Sequence, residues 1–108
     1  NNNNKSSNSS WLKSSTLVNT HRYPIYSIDW NHFSSYIASG GGDNSIVLCK
    51  VDNDQINGNQ GIISREYLVE NAHDGDINCV RWNPSSLFSH ILVSTGDDGL
   101  VKLWTLEL

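Results

Sequence analysis

The stretch that decides the fold runs over residues 73–104 and reads HDGDINCVRWNPSSLFSHILVSTGDDGLVKLW. Residues 76–82 and 100–104 alternate polar and apolar side chains, and residues 91–95 are apolar and rich in β-branched types. All three segments are therefore predicted to be strands, called a, b and c in chain order. An Asp-Gly pair connects strands b and c, and this pair between strand-like runs is a strong signal for a hairpin. The stretch predicts a three-stranded antiparallel sheet preceded by a histidine.

A second copy of this unit lies upstream, between residues 21 and 51. Both copies carry the pattern His-x3-Ile-x4-Trp, and both carry Ser-x3-Asp later in the unit. A leading histidine, an aspartate in the b–c hairpin and a tryptophan that closes strand c are typical of one WD40 β-propeller repeat. The matching residues are His21, Ile25, Trp30, Ser39 and Asp43 in the first copy, and His73, Ile77, Trp82, Ser94 and Asp98 in the second, where Trp104 closes strand c.

The segments around the two copies extend the repeat pattern. Residues 62–69 predict a fourth strand, d, which follows a polar loop at residues 52–61. Residues 11–18, which read WLKSSTLV, predict a strand d whose own repeat lies upstream. The predicted organisation is a disordered Asn/Ser-rich segment at residues 1–10, the strand at 11–18, one repeat at 19–70 and a final repeat without strand d at 71–108.

The predicted fold class is an all-β fragment of a WD40 β-propeller. It consists of one orphan strand d, one four-stranded blade and one three-stranded blade. A propeller needs about four to eight blades to close, and at least about three repeats are needed to bury a continuous core. The sequence is therefore expected to be the C-terminal part of a longer propeller, with open strand edges when it stands alone.

Composition and charge disfavour several classes of protein. The chain has 108 residues, 37% of them apolar, and its formal net charge is −4 with seven basic residues. Nucleic-acid binding is disfavoured because no basic patch exists to neutralise phosphates. No apolar run approaches the ~20 residues of a membrane span. Cys49 and Cys79 fall in predicted strands, which favours reduced and buried thiols in an intracellular protein, with a disulfide or metal pair as the alternative.

Three residues of the second copy form the residue set of a hydrolase triad. Ser94, His73 and Asp98 are brought together by the predicted blade. The favoured interpretation is structural: a hydrogen-bonded set, completed by the Trp104 indole, that fixes the loop before strand a to the b–c hairpin. No Gly-x-Ser-x-Gly motif accompanies the serine. The first copy keeps His21, Ser39 and Asp43, with Cys49 at the tryptophan position, so its set is predicted to be weaker.

No metal or cofactor site is predicted. The sequence has neither Cys-x2-Cys nor His-x3-His spacing, and His32 and His90 are interpreted as solvated loop residues. Gly40-Gly41-Gly42 is not followed by the lysine of a phosphate loop. Asp97 precedes the structural aspartate of its copy and is a candidate partner contact at the rim of the blade. A solvated turn charge is the alternative interpretation of that residue.

With these residues in view, the chain resembles the WD-repeat proteins of cytosolic iron–sulfur protein assembly. The resemblance covers nearly all residues after residue 10. Ile-Tyr-x-Ile-x-Trp and Asp-x-Asn-Cys-Val-x-Trp-Asn-Pro are its more particular motifs, whereas Asp-Asp-Gly-x-Val-x-x-Trp is common to WD repeats. The segments that carry it are residues 11–13, 25–30, 37–43, 73–84 and 97–104.

The resemblance implies a seven-bladed propeller that acts as a non-catalytic adaptor. Its implied partners are other proteins, namely subunits of an iron–sulfur targeting complex and the apo-proteins that receive clusters. It implies no bound cofactor and a cytoplasmic location, with a nuclear pool as an alternative. Three other hypotheses remain: a WD-repeat scaffold of a chromatin or ubiquitin-ligase complex, a hydrolase built on Ser94, and a fragment without independent function.

Overall fold

The computed structural model describes residues 9–54 and 59–107 and contains two antiparallel sheets. The first sheet has four strands in the order β1-β2-β3-β4, and the second has three in the order β5-β6-β7. The predicted four-stranded and three-stranded units are confirmed. Within the described residues, no helix is long and apolar enough to cross a membrane. The strands are β1 Ile25–Trp30, β2 Tyr36–Gly41, β3 Ile46–Asp54, β4 Asn59–Val69, β5 Ile77–Trp82, β6 Ile91–Gly96 and β7 Val101–Thr105.

The hairpin of strands b and c has the same pairing register in both sheets. Ile37 of β2 pairs with Cys49 of β3, and Leu92 of β6 pairs with Trp104 of β7. Both sheets also have a register shift within the first three residues of strand a. The two repeats are therefore alike in backbone detail as well as in sequence spacing.

The bounds of the predicted polar loop, residues 52–61, are wrong. β3 continues to Asp54 and β4 begins at Asn59, so the two strands form one long hairpin. Asn, Asp and Gly are depleted in strands because their side chains favour turns. Here the backbone pairing with the opposite strand outweighs that preference. Residues 55–58 lie outside the described residues.

Residues 11–18, predicted as strand d of a preceding blade, form no strand in the structure, and their assignment to a preceding blade stays a prediction. The described residues before β1 contain no strand, and Trp11 is fully exposed. The segment lies beside β4, where the Ile63 backbone N–H donates to Ser15 Oγ over 3.3 Å. A strand d needs a strand c of its own blade as a neighbour, and β4 already occupies that position beside β3. Of the predicted disordered segment, residues 1–8 lie outside the described residues.

The main core lies between the two sheets, with strand a of the second sheet at its centre. β5 contacts both β1 and β2. The core consists of Ala38, Ile46, Leu48, Ala72, Ile77, Val80, Trp82 and Leu92. Gly40 permits this approach, because a Cβ atom there would lie 2.5 Å from Cγ2 of Ile77. The sheets are therefore held together by apolar burial along strand a.

Side chains of β1 satisfy backbone groups of β5 along the same seam. The Val80 N–H donates to Ser27 Oγ over 3.0 Å, and the Trp82 N–H donates to Asp29 Oδ2 over 2.7 Å. The Trp82 indole N–H donates to the Asp29 carbonyl over 3.2 Å. These hydrogen bonds fix the relative position of the sheets, which apolar packing alone would leave less specific.

A second, smaller cluster lies on the opposite face of the first sheet. It contains Ile37, Val47 and Cys49, and Leu17 from the segment before β1 packs against it. Leu17 is the apolar side chain through which this non-strand segment contacts the sheet. The second sheet buries its equivalent face against the first sheet instead.

The close approach at Gly40 gives a test of the packing between the sheets. We expect Gly40→Ala to lower the free energy of unfolding by about 1–3 kcal/mol, because the new methyl group overpacks the seam. The penalty should be smaller in an Ile77→Ala background, where the clashing methyl is removed. Urea unfolding of the two single variants and the double variant measures the coupling. Simple additivity of the two single effects would show that these residues do not contact each other.

Candidate functional site

The second sheet brings together the four residues that the sequence singled out in the second copy. His73 lies in the loop before β5, Ser94 in β6 and Trp104 in β7, and Asp98 lies in the β6–β7 turn. His73 Nδ1 is 2.9 Å from Asp98 Oδ1, and His73 Nε2 is 2.8 Å from Ser94 Oγ. The Trp104 indole N–H donates to Ser94 Oγ over 2.8 Å. The four side chains form one continuous hydrogen-bonded chain.

The chemistry of each group fixes the direction of these hydrogen bonds. An ionised carboxylate only accepts, so His73 Nδ1 carries the proton that points to Asp98. In the tautomer that carries its proton on Nδ1, Nε2 accepts from the Ser94 hydroxyl, whose oxygen accepts from Trp104. Every donor is matched by an acceptor, which is what a buried polar network requires.

The Asp98 carboxylate also accepts hydrogen bonds from two backbone N–H groups. The Asp74 N–H donates to Oδ2 and the Leu100 N–H donates to Oδ1, each over 3.0 Å. Desolvation acts to raise the pKa of Asp98, but the hydrogen bonds from His73 and from these two N–H groups outweigh it and lower the pKa to about 2. Asp98 is therefore ionised at neutral pH and links the loop before β5 to the β6–β7 hairpin.

The first sheet repeats this arrangement without the tryptophan. His21 Nδ1 is 2.9 Å from Asp43 Oδ1, and His21 Nε2 is 2.8 Å from Ser39 Oγ. The Arg22 N–H donates to Asp43 Oδ2 over 3.2 Å. Desolvation acts to raise the pKa of Asp43, but hydrogen bonds from His21 and backbone N–H groups lower it below its ordinary value. Cys49 occupies the place of Trp104.

Both cysteines are free thiols in the structure. Cys49 is buried, and this burial raises the pKa of its thiol, while the charge of Arg65 acts in the opposite direction. Cys79 is only half-buried. A protonated thiol is a poor nucleophile and a poor metal ligand, so Cys49 is suited to packing rather than to chemistry.

The His-Ser-Asp geometry resembles a catalytic triad, but its serine is inaccessible. Ser94 has no exposed surface and His73 is 1% exposed. The Ser94 oxygen is already occupied by the Trp104 indole, whereas a nucleophile must be free to reach a substrate carbonyl. The arrangement can hold two loops together, and it offers no access for a substrate.

The described residues contain no group of three or more His, Cys, Asp or Glu side chains placed to hold a metal ion. His32 and His90 are both exposed. The His32 ring contacts the Phe33 ring edge-on at a centroid distance of 5.1 Å. These two histidines are not brought together with Cys49 or Cys79.

Asp97 lies beside the buried set, at the exposed end of the second sheet. Its side chain is exposed, and Oδ1 accepts a 2.7 Å hydrogen bond from Asn78 Nδ2. Its backbone N–H donates to the Asp76 carbonyl over 2.8 Å. The carboxylate is thus held in one place while part of it faces solvent.

Sequence reasoning missed two tyrosines at the equivalent end of the first sheet. Tyr23 is 61% exposed and Tyr26 is 53% exposed, and both lie against Gly42, which aligns with Asp97. The available signal was the segment Tyr-Pro-Ile-Tyr at residues 23–26, which follows the leading histidine and runs into strand a. Exposed tyrosines offer a large apolar surface with a polar tip, which suits a protein interface.

A comparison with models of protein families identifies the family of the chain. Residues 6–49 and 65–105 match the model of the WD domain, G-beta repeat. The chain belongs to the WD-repeat family. The first range contains β1, β2 and the first part of β3, and the second contains the end of β4 and all of β5 to β7. Each range thus holds strands a to c of one sheet, and we call each sheet a blade below.

The chain is also similar to curated proteins that are named for cytosolic iron-sulfur protein assembly. It is 39% identical over 100 residues to a cytosolic iron-sulfur protein assembly protein CIAO1 homolog of Dictyostelium discoideum, covering 93% of this chain and 28% of that protein. The Caenorhabditis elegans homolog is 38% identical over 91 residues, with 84% and 26% covered. The chain thus spans about a quarter of the length of these relatives.

A solved structure is similar in fold. One chain of the crystal structure of the mitotic checkpoint complex matches with a TM-score of 0.60 over 79% of this chain and 23% of that chain. Its sequence identity is 20%. At this identity the match supports the propeller fold alone.

The indole hydrogen bond predicts a specific cost for losing the N–H group. We expect Trp104→Phe to lower the free energy of unfolding by about 1 kcal/mol, because Ser94 loses its donor while the ring packing is largely kept. In a Ser94→Ala background the same change should cost little. Chemical denaturation of the two single variants and the double variant measures this interaction. Equal costs in both backgrounds would rule out the hydrogen bond as the cause.

The lowered pKa of Asp98 predicts acid sensitivity. The carboxyl has a pKa of about 2 when folded and about 3.9 when unfolded. Its contribution to stability is therefore present above about pH 4 and is lost as the pH falls toward 2. Asp98→Asn should be less stable than wild type at neutral pH and should lose stability less steeply on acidification. Thermal unfolding across this range measures both; parallel curves for the two proteins would contradict the assignment.

Proposed function

We propose that this protein is a non-catalytic adaptor in cytosolic iron–sulfur protein assembly. The observation that carries the proposal is the similarity, over most of the chain, to proteins that bear that name in organisms as distant as Dictyostelium discoideum and Caenorhabditis elegans. A protein of the yeast Candida albicans with the same function in its name is 36% identical over 99 residues. Its place of action is accordingly the cytosol, with a nuclear pool as a further proposal.

The buried polar networks support an adaptor over an enzyme. Each blade uses its His, Ser and Asp in hydrogen bonds that connect loops, and Ser94 has no exposed surface. A scaffold needs rigid loops that present contact residues in fixed positions, because preorganisation reduces the entropy lost on binding. The networks supply that rigidity at the ends of both blades.

We propose that partners bind at the ends of the blades where these networks lie. The second blade offers the carboxylate of Asp97, which Asn78 holds in place. The first blade offers Tyr23 and Tyr26 at the equivalent position. An acidic group on one blade and exposed tyrosines at the equivalent end of the other suit a protein surface that carries both basic and apolar contact residues. In the whole protein these blades would belong to a seven-bladed ring.

The adaptor hypothesis predicts a defined set of partners. Affinity capture of the tagged protein from cytosol, followed by mass spectrometry, should recover iron–sulfur assembly proteins, with no iron bound to the adaptor itself. Asp97→Lys should reduce that recovery by about tenfold or more, because it places a positive charge opposite the basic partner surface. Asp52→Lys on the exposed part of β3 is the matched control and should leave recovery unchanged.

Two outcomes would count against these proposals. Recovery of ubiquitin-ligase or chromatin proteins in place of iron–sulfur assembly proteins would favour a different WD-repeat scaffold. Equal loss of partners in both charge-reversal variants would exclude Asp97 as a specific contact. Circular dichroism of each variant checks that the fold is retained.

A further inference from the structure

We propose that the network end of the two blades binds an arginine-bearing segment of a partner protein. The network end is formed by the loops before β1 and β5 and by the two b–c turns, at residues 19–24, 42–45, 70–76 and 97–100. The arginine guanidinium group lies on the exposed pair Tyr23 and Tyr26, and the acidic second blade attracts the segment to this end. The inference rests on the proposed function only in taking the ligand to be a protein segment.

Tyr23 and Tyr26 form one aromatic surface because Gly42 has no side chain. A Cβ atom at Gly42 would lie 3.2 Å from Tyr23 Cβ and 3.5 Å from the Tyr26 hydroxyl oxygen. The Gly42 N–H donates to the Pro24 carbonyl over 3.0 Å, which holds the turn against the segment between the two tyrosines. Both tyrosines are nevertheless more than half exposed. The surface is therefore fixed by the fold and open to a ligand.

A neighbouring blade does not cover this position. Asn78 of the second blade aligns with Tyr26, and it is exposed although the first blade packs against its strand. Tyr26 is exposed although the second blade packs on the first blade from the other side. A blade in a ring has one neighbour on each side, and each kind of neighbour is present in one of the two copies. We therefore expect the aromatic surface to stay exposed in a closed ring.

The two blades fill the same space with different chemistry. In the first blade, Tyr23 and Tyr26 come from the loop and strand a, and the turn contributes Gly42. In the second blade the turn contributes Asp97, and a Cβ atom at Gly75, which aligns with Tyr23, would lie 3.1 Å from Asp97 Cβ. Since both blades have the same fold, this exchange alters the surface and leaves the repeat unchanged.

The network end carries the net charge of the chain. Its acidic residues are Asp43, Glu70, Asp74, Asp76, Asp97 and Asp98, and its basic residues within the described part of the chain are Arg22 and Lys102. Six acidic residues against two basic ones give this end a charge of −4, equal to the formal net charge of the whole chain. The Lys102 ammonium group donates to the Ala72 carbonyl over 2.9 Å. A negative potential attracts cations and repels anions, so a cationic group suits the tyrosines.

The aromatic surface adjoins a fixed carboxylate. Ser27, the residue after Tyr26, accepts a hydrogen bond from the Val80 N–H of the second blade. Asn78 lies two residues before Val80, and its amide donates to Asp97 Oδ1 over 2.7 Å. A segment that places a cation on Tyr26 therefore runs beside the carboxylate of Asp97.

An arginine fits this surface better than a lysine does. A guanidinium group is planar and weakly hydrated, so it stacks on an aromatic ring while its N–H groups remain free to donate to a carboxylate. An ammonium group is compact and strongly hydrated, so it gains less from the face of a ring. The carboxylates attract both cations, whereas the tyrosines discriminate between them.

Peptide titration tests the selectivity for arginine. In NMR titrations of the full chain, a short peptide of alternating glycine and arginine should bind about threefold tighter than the matched glycine–lysine peptide, and it should shift the Tyr26 ring signals. Tyr26→Leu should remove this preference, whereas Tyr26→Phe should keep it because phenylalanine retains the face of the ring. Tyr67→Leu, on exposed β4, is the matched control and should leave the preference unchanged.

An exchange of the two surfaces gives a second test. Tyr23→Gly, Tyr26→Asn and Gly42→Asp together copy the surface of the second blade onto the first. This variant should bind the lysine peptide at least as tightly as wild type, because it gains a carboxylate, and it should show no preference for arginine. Circular dichroism checks the fold of each variant. If the triple variant unfolds, Tyr26→Leu and Tyr26→Phe decide the question.

Four outcomes would overturn the proposal. They are the absence of binding by the arginine peptide, equal affinities of the two peptides for wild type, an arginine preference that survives in Tyr26→Leu, and tighter binding of a matched glycine–leucine peptide. The last would make the tyrosines a purely apolar contact. These results are distinct from a failure of the proposed function, which is contradicted when affinity capture recovers no iron–sulfur assembly proteins.

Discussion

The packing of strand a against the preceding blade is the constraint on which the rest of the structure depends. β5 is buried by apolar contact with β2 and β1, and its backbone donors are satisfied by Ser27 and Asp29. A strand with only one sheet neighbour would otherwise expose a row of N–H groups. Burial and hydrogen bonding therefore act along the same line, which fixes both the distance between the blades and their register.

The polar networks complement this apolar seam. Apolar burial stabilises the middle of the blades, whereas the hydrogen bond between the ionised Asp98 and His73 connects the loops at one end. A carboxylate with this little exposed surface is tolerated because each oxygen accepts from the histidine or from backbone N–H groups. The same chemistry that would serve a hydrolase is used for structure here, since the serine is enclosed and its oxygen already accepts a hydrogen bond.

The sequence predicted the two sheets and the residues of both networks because their signals are local and repeated. An Asp-Gly turn and alternating strands predict a hairpin, and the His and Asp spacings predict a WD repeat. The presence of the same spacings in two copies strengthens both predictions. The errors arose where neighbours decide the outcome. Residues 52–54 and 59–61 look like parts of a loop in isolation, but pairing between them extends β3 and β4. Residues 11–18 look like a strand, but a strand forms only where a second strand supplies its hydrogen bonds. Tyr23 and Tyr26 were missed because exposure depends on packing.

The two blades are built from the same types of contact, but the first blade lacks two contacts that the second blade has. The second blade has the indole donor on Ser94 and a buried strand a, whereas the first blade has Cys49 at the indole position and an exposed strand a. In a repeat protein, stability is approximately the sum of the stability of each repeat and of its interfaces with neighbours. In the described residues the first blade therefore lacks two stabilising contributions that the second blade has, namely the indole hydrogen bond and the burial of strand a.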